Sequence, residues 1–310
     1  MKVGGQTPIF PVDKTVELLW TGGEAIHIFE GKKEGLKRRK KGKEEKNGLS
    51  TKTIHNGDNV VNNRCKSVDI FLRLCYNMDI MKRTIEEIYE KEILGEKKEL
   101  LEKFRLMLLE YNQKYNLTAI LEQKDVYYKH LLDSAAGVDL FSEGARVAEI
   151  GSGAGFPSMV LKILRPDLSF DLFESVGKKC EFLRAVVDNF GFTGVNVYNV
   201  RAEDAAKDGK FREKYDFVTA RAVARMNTLS EYCLPFVKVG GKFVAYKSGD
   251  KTEIEEAKNA YATLGGRLKA VYEYSLPEEY GDRVLAVVEK VKNTPTKYPR
   301  GQGKERKNPL

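Results

Sequence analysis

The stretch Val147–Phe156, VAEIGSGAGF, decides the fold of this 310-residue chain. An apolar run reads as a strand, and it passes straight into Gly151, Gly153 and Gly155. Glycines in a G-x-G-x-G pattern let the backbone turn sharply and touch a ligand where a Cβ would intrude. A dinucleotide-binding loop would carry its third glycine at position 156, which is Phe here. Glu149, two residues before the first glycine, sets a carboxylate at the strand end, where it would repel a pyrophosphate but pair with a cationic amino group. A sulfonium cofactor bearing an α-amino group fits such a loop.

Outward from this loop the chain alternates helix and strand. Ser158–Leu164 is apolar at helical spacing and stops at Arg165-Pro166, since proline cannot continue a helix. Ser169–Phe173 reads as the next strand, and Glu174 at its end lies nineteen residues beyond Gly155, the usual place for a carboxylate that accepts from ribose hydroxyls. Val195–Val200, Tyr215–Ala220 and Lys242–Lys247 give further strands, the first two running into Arg201-Ala202-Glu203-Asp204 and Arg221. Their ends should share one rim of a parallel sheet, where open α/β folds bind ligands. Leu268–Ser275 and Arg283–Val291 are joined by too few residues for a helical crossover and predict an antiparallel hairpin. Upstream, Ile85, Ile88, Tyr89 and Ile93, then Leu101, Phe104, Leu108 and Tyr111, predict two helices broken at Gly95. A further helical run, Val126–Val138, puts His130 and Asp133 on one face, either to position a substrate or to fasten the helix to a neighbour. The fold class is α/β: a Rossmann-like sheet, mostly parallel with a C-terminal antiparallel hairpin, plus N-terminal helices.

The ordered series YNLTAI (Tyr115–Ile120), HLLDS (His130–Ser134), GSGAGFP (Gly151–Pro157), ESVGKKCEFL (Glu174–Leu183), RAED (Arg201–Asp204), ARAVA (Ala220–Ala224) and YPRGQGKERKNPL (Tyr298–Leu310) resembles the GidB/RsmG family of bacterial 16S ribosomal RNA guanine-N7 methyltransferases. The resemblance runs from about Met78 to Leu310; Ala220 and Ser248 depart from the Ser and Gly more frequent in that family. It implies a class I S-adenosylmethionine-dependent fold, S-adenosyl-L-methionine as methyl donor, and 16S ribosomal RNA or the small ribosomal subunit as partner. It also implies that Gly151, Phe156, Ala202, Glu203 and Arg221 contact the donor, beside Gly153, Gly155 and Glu174 from the loop itself. Guanine N7 carries an in-plane lone pair, so no base need remove a proton, and positioning by Arg221, His130 and Asp133 replaces a catalytic acid or base. A small-molecule or protein methyltransferase, or a binding-only RNA module, would share the donor loop; the first has no need of a basic tail.

Charge is unevenly spread over the chain, whose net is +8. Residues 1–77 hold 15 Lys+Arg against 9 Asp+Glu, residues 78–289 hold 31 against 35, and residues 290–310 hold 7 against 1. Residues 1–77, with KKEGLKRRKKGKEEK at Lys32–Lys46 and no sustained period of 2 or 3.6, read as a disordered or non-native N-terminal extension ahead of Met78 or Met81. Residues 78–310 read as the methyltransferase domain: 78–140 a helical cap, 141–291 the Rossmann-like core, and 292–310 a basic tail too polar and glycine-rich for a core. RNA contact is expected from Lys178, Lys179 and Lys247 on the rim and from Arg300, Lys304 and Arg306 in the tail. Cys65, Cys75, Cys180 and Cys233 are dispersed without C-x-x-C and only three His occur, so no metal is expected. No run of about 18 apolar residues could span a bilayer, and a cytoplasmic protein without membrane contact is expected.

Overall fold

The computed structural model describes residues 14–21, 25–32, 51–53, 85–277 and 280–310. The chain divides into two compact units, Met1–Asn77 and Met78–Leu310. In the first, β1 (Lys14–Thr21) pairs antiparallel with β2 (Ala25–Lys32), which pairs antiparallel with β3 (Thr51–Thr53). The sequence reading found no strand period here. The signal it missed is Gly22-Gly23 between two runs rich in β-branched and aromatic residues, a hairpin pattern. The rest of the expected extension, Lys33–Lys46 and the Met78 and Met81 starts among it, lies outside the described residues.

In the second unit the strands are β4 (Arg146–Ile150), β5 (Ser169–Glu174), β6 (Val195–Asn199), β7 (Tyr215–Arg221), β8 (Val237–Ser248), β9 (Gly266–Ser275) and β10 (Asp282–Lys290). They form one sheet in the order β6-β5-β4-β7-β8-β10-β9. The first five are parallel; β10 runs antiparallel to both β8 and β9. The expected hairpin is present, with its second strand turned inward. Val284–Val288 is an unbroken buried apolar run suited to an interior position, whereas β9 alternates buried and exposed residues as an edge strand does.

Helices cover both faces. On one, α1 (Lys98–Tyr115) turns Leu101, Phe104 and Leu108 inward at helical spacing, joined by the wide helical turns Val126–Leu132, by α2 (Ser158–Leu164) and by α3 (Gly177–Phe190). Gly95, with φ −95° and ψ −128°, interrupts the helical run before α1 where the glycine predicts a break. On the other face, α4 (Ala202–Ala205), α5 (Met226–Cys233) and α6 (Lys258–Leu264) pack with Phe236 and Tyr298 over β7, β8 and β10. Such a sandwich leaves the C-terminal ends of β4, β5, β6 and β7 as one rim, which carries the site.

Candidate active site

The glycine loop is fastened by its neighbours. The Gly151 amide donates to the Phe173 carbonyl at 2.8 Å, and the Gly153 amide to Glu174 Oε2 at 2.9 Å. The other Glu174 oxygen accepts from the Val176 amide at 2.8 Å, so this one carboxylate joins the loop to the start of α3. Gly151 has φ +69°, and a Cβ there would lie 2.7 Å from a methyl of Val223; any side chain would be strained and would strike the β7 loop. Beneath the loop, Glu149 is fully buried and accepts from the Ser158 hydroxyl and, at 3.3 Å, from the Ser158 amide. Burial raises its carboxyl to about 7, against the pull of Ser158. The expectation that Glu149 pairs with a cationic ligand group is thereby corrected: its oxygens face the first turn of α2.

A cavity of about 530 Å³ opens on the rim beside this loop. Of the expected donor contacts, Gly151, Ala202 and Glu203 line it. Gly153, Gly155 and Glu174 shape the loop behind it. Phe156 turns away from it, packing on Phe104 at 5.3 Å between ring centres and stacking on His130 at 4.5 Å, with the Arg221 guanidinium 5.1 Å over its ring.

Arg221 is the hub of a second cluster. Its Nη1 donates to Asp133 Oδ2 at 2.9 Å, and its Nη2 lies 3.2 Å from His130 Nδ1. Asp133 also accepts from the Tyr274 hydroxyl at 2.8 Å, so the helical segment is tied to the ends of β7 and β9 together. The ion pair of Arg221 is with Asp133. His130 Nδ1 lies between the Arg221 guanidinium and the Lys129 carbonyl, 3.2 Å from each, and Nε2 is 3.0 Å from Thr118 Oγ1. Burial and the adjacent Arg221 lower His130 to about 4, and the imidazole is neutral near pH 7.

Lysines expected to meet RNA fall into two groups. Lys178 is exposed and Lys179 half-exposed at the start of α3. Lys247 is held inward: its Nζ donates to the Ala224 carbonyl at 2.7 Å and to Glu253 at 3.1 Å, with its side chain 10% exposed. It braces the loop after β7, which corrects the expectation that it faces an incoming acceptor.

The tail is also corrected, for it is folded. Arg300 donates from Nη2 to Glu231 Oε2 at 2.6 Å and from Nε to Oε1 at 3.0 Å, and its amide adds a bond of 2.8 Å to a carboxylate that is 0% exposed. Glu305 is fully buried; it accepts from the Gly301 amide, and its carbonyl accepts from the Thr228 hydroxyl at 2.9 Å. Arg212 donates to the Thr294 and Tyr298 carbonyls at 2.8 and 2.9 Å. Lys304 and Arg306 stay exposed, while Gln302, Gly303 and Arg306 line the same cavity as Gly151 and Glu203. Basic composition misleads because two buried glutamates, together with Tyr298 in the core, draw the tail inward.

A profile of the family described as "GidB: rRNA small subunit methyltransferase G" matches residues 97–280. A "Ribosomal RNA small subunit methyltransferase G" of Lactobacillus johnsonii is 46% identical over 237 residues, covering 72% of this chain and 99% of the relative. Proteins of the same name from an Exiguobacterium species and Brevibacillus brevis are 48% and 46% identical, covering 66% and 69% of this chain and 87% and 91% of the relatives. The chain belongs to the rRNA small subunit methyltransferase G family.

Within this methyltransferase, sequence reasoning missed Ser175, Val223 and Tyr232 as cavity walls. Val223 had a signal, since it sits inside the ARAVA run two residues past Arg221; Tyr232 had none, because only the packing of α5 under the rim brings it there. Among the described residues no group of three or more His, Cys, Asp or Glu could hold a metal ion, and no helix is long and apolar enough to cross a membrane. Cys180 and Cys233 are buried free thiols.

Proposed function

We propose that this protein transfers a methyl group from S-adenosyl-L-methionine to N7 of a guanine in 16S ribosomal RNA, acting in the cytoplasm on the RNA or the small ribosomal subunit. The observation that carries this reading is the rim cavity of about 530 Å³, which joins Gly151, Ala202 and Glu203, the positions the family resemblance assigns to the methyl donor. Its size suits a nucleoside-bearing ligand. When bound, S-adenosyl-L-methionine supplies an electrophilic methyl on a sulfonium.

The chain's own residues do the rest by holding. Gly151 presents bare backbone where a Cβ would strike Val223. Glu174 holds the Gly153 amide and keeps lone pairs for a ribose hydroxyl, and Glu203 adds a carboxylate from α4, just past β6. Arg221, fixed by Asp133 and stacked over Phe156, keeps the loop face rigid. Neutral His130 neither takes nor gives a proton, which suits a nucleophile that has none to lose. The positions of residues 1–77 belong to the same proposal, as an extension outside the catalytic unit.

The test is methyl transfer from labelled donor to 16S ribosomal RNA, and to small subunits, from cells lacking this gene, followed by mapping of the product. N7-methylguanosine at one position is the expected result. Label in RNA at another atom, or label only in protein or small molecules, would overturn the reading.

A further inference from the structure

A second cavity, about 480 Å³, abuts the first and shares Val223 and Arg306 with it. It lies between the loop after β7, the start of α5 and the folded tail, and neither the glycine loop nor the RAED segment reaches it. Arg225 and Arg306 both stand in its walls, with Glu256 opposite. We propose that this cavity is a phosphate seat for the RNA strand that carries the target guanine, with Arg225 and Arg306 as its guanidinium ligands. The inference rests on the RNA methyltransferase reading above and names the side of the rim from which the strand enters.

Three features support it. First, Arg225 is paired through Nη2 with Glu256 Oε2 at 2.7 Å, and the two side chains are 69% and 52% exposed. An exposed pair of this kind is held weakly, and the carboxylate sits where a phosphate oxygen would bind the same fork. Second, Arg306 is placed in advance. The preceding residue, Glu305, is buried and tied to Thr228 through its carbonyl, so the backbone that carries Arg306 is already held at the cavity when an anion arrives. Third, residues 78–310 carry 38 Lys+Arg against 36 Asp+Glu, so two arginines facing one cavity concentrate positive charge on a nearly neutral body. Because Arg306 and Val223 line both cavities, a phosphate seated here lies next to the donor cavity. A base attached to it has a short way to go.

The experiment uses the full-length protein and transcribed 16S ribosomal RNA, with binding measured across a salt series and donor affinity measured separately by calorimetry. Arg225→Gln should weaken RNA binding about tenfold and lower the slope of log K against log salt by about 0.7–0.9, the share of one phosphate contact, with donor affinity within twofold of wild type. Glu256→Gln should do the reverse and strengthen RNA binding, because it frees Arg225. Arg306→Gln should weaken both ligands. An unchanged salt slope in Arg225→Gln, or unchanged or weaker RNA binding in Glu256→Gln, overturns the seat while leaving the methyltransferase reading intact. Failure of the wild-type protein to bind or methylate the RNA overturns that reading, and the seat with it.

Discussion

The glycine loop and the C-terminal tail line one cavity and are held in opposite ways. Gly151, Gly153 and Gly155 take their shape from positive φ angles of +69°, +55° and +84° and from the adjoining strand β5, whose Phe173 carbonyl and Glu174 carboxylate accept from Gly151 and Gly153. The tail takes its shape from distant partners: Arg300 reaches back 69 residues to Glu231, and Arg212 holds carbonyls 82 and 86 residues ahead of it. A locally built wall survives as long as its own residues do. A wall built at long range fails when either end is removed, although each half looks ordinary in sequence.

The largest effect should come from cutting the tail. Removing residues 292–310 leaves Glu231 buried without its arginine and strips Tyr298 from the core, so stability should fall by about 5 kcal/mol or more and donor binding should be lost. Denaturant unfolding and calorimetry measure both. A truncated protein that folds and binds donor within twofold of wild type would make the tail as peripheral as its composition suggests.

On the loop side, Gly151→Val should weaken donor binding at least about a hundredfold, because a β-branched residue is strained at positive φ and its Cβ meets Val223. Wild-type affinity in a folded variant would show that the loop does not face the donor. Glu174→Ala comes next, at about 1.5–3 kcal/mol of donor binding, since it removes a charged acceptor and releases the Gly153 amide. RNA affinity in the absence of donor should hardly change. Equal loss of both ligands would mean that Glu174 serves general folding.

Glu149 sharpens the contrast through pH. Its folded carboxyl titrates near 7 against an ordinary 4.5, so the folded state binds its proton more tightly than the unfolded state. The stability this contributes is complete below about 4.5 and is lost as pH rises through 7, on the order of 3 kcal/mol. Glu149→Gln should therefore gain on the wild type between pH 5 and pH 8 in urea unfolding. Parallel curves would place the shift elsewhere. The smallest effect is expected from a protein beginning at Met81, which should fold, bind donor and methylate RNA at near wild-type rates. Normal donor binding with weaker, less salt-dependent RNA binding would make the basic N-terminal segment a working RNA arm.

Legibility followed sequence distance. The strand–loop–helix–strand unit around VAEIGSGAGF could be read because hydrophobic period, glycine spacing and the Arg165-Pro166 stop all act within a few residues of one another. The pairing of Asp133 with Arg221, 88 residues apart, could not, because nothing local to either residue points to the other. Lys247 misled for the same reason, since its acceptors, the Ala224 carbonyl and Glu253, become neighbours only once β8 and the loop after β7 are side by side. The inward turn of β10 was half visible, as the run Val284–Val288 lacks the alternation of an edge strand.

By itself the sequence determined the α/β class, the parallel strands and their rim, the G-x-G-x-G loop, and the motif series that marks the family, because backbone conformation and amphipathic period are local properties. Tertiary structure decided which charges meet. Glu149 went to Ser158, Arg221 to Asp133 and Arg300 to Glu231 because a buried charge needs a partner at hydrogen-bond distance, and only the packed sheet and helices settle which one is there.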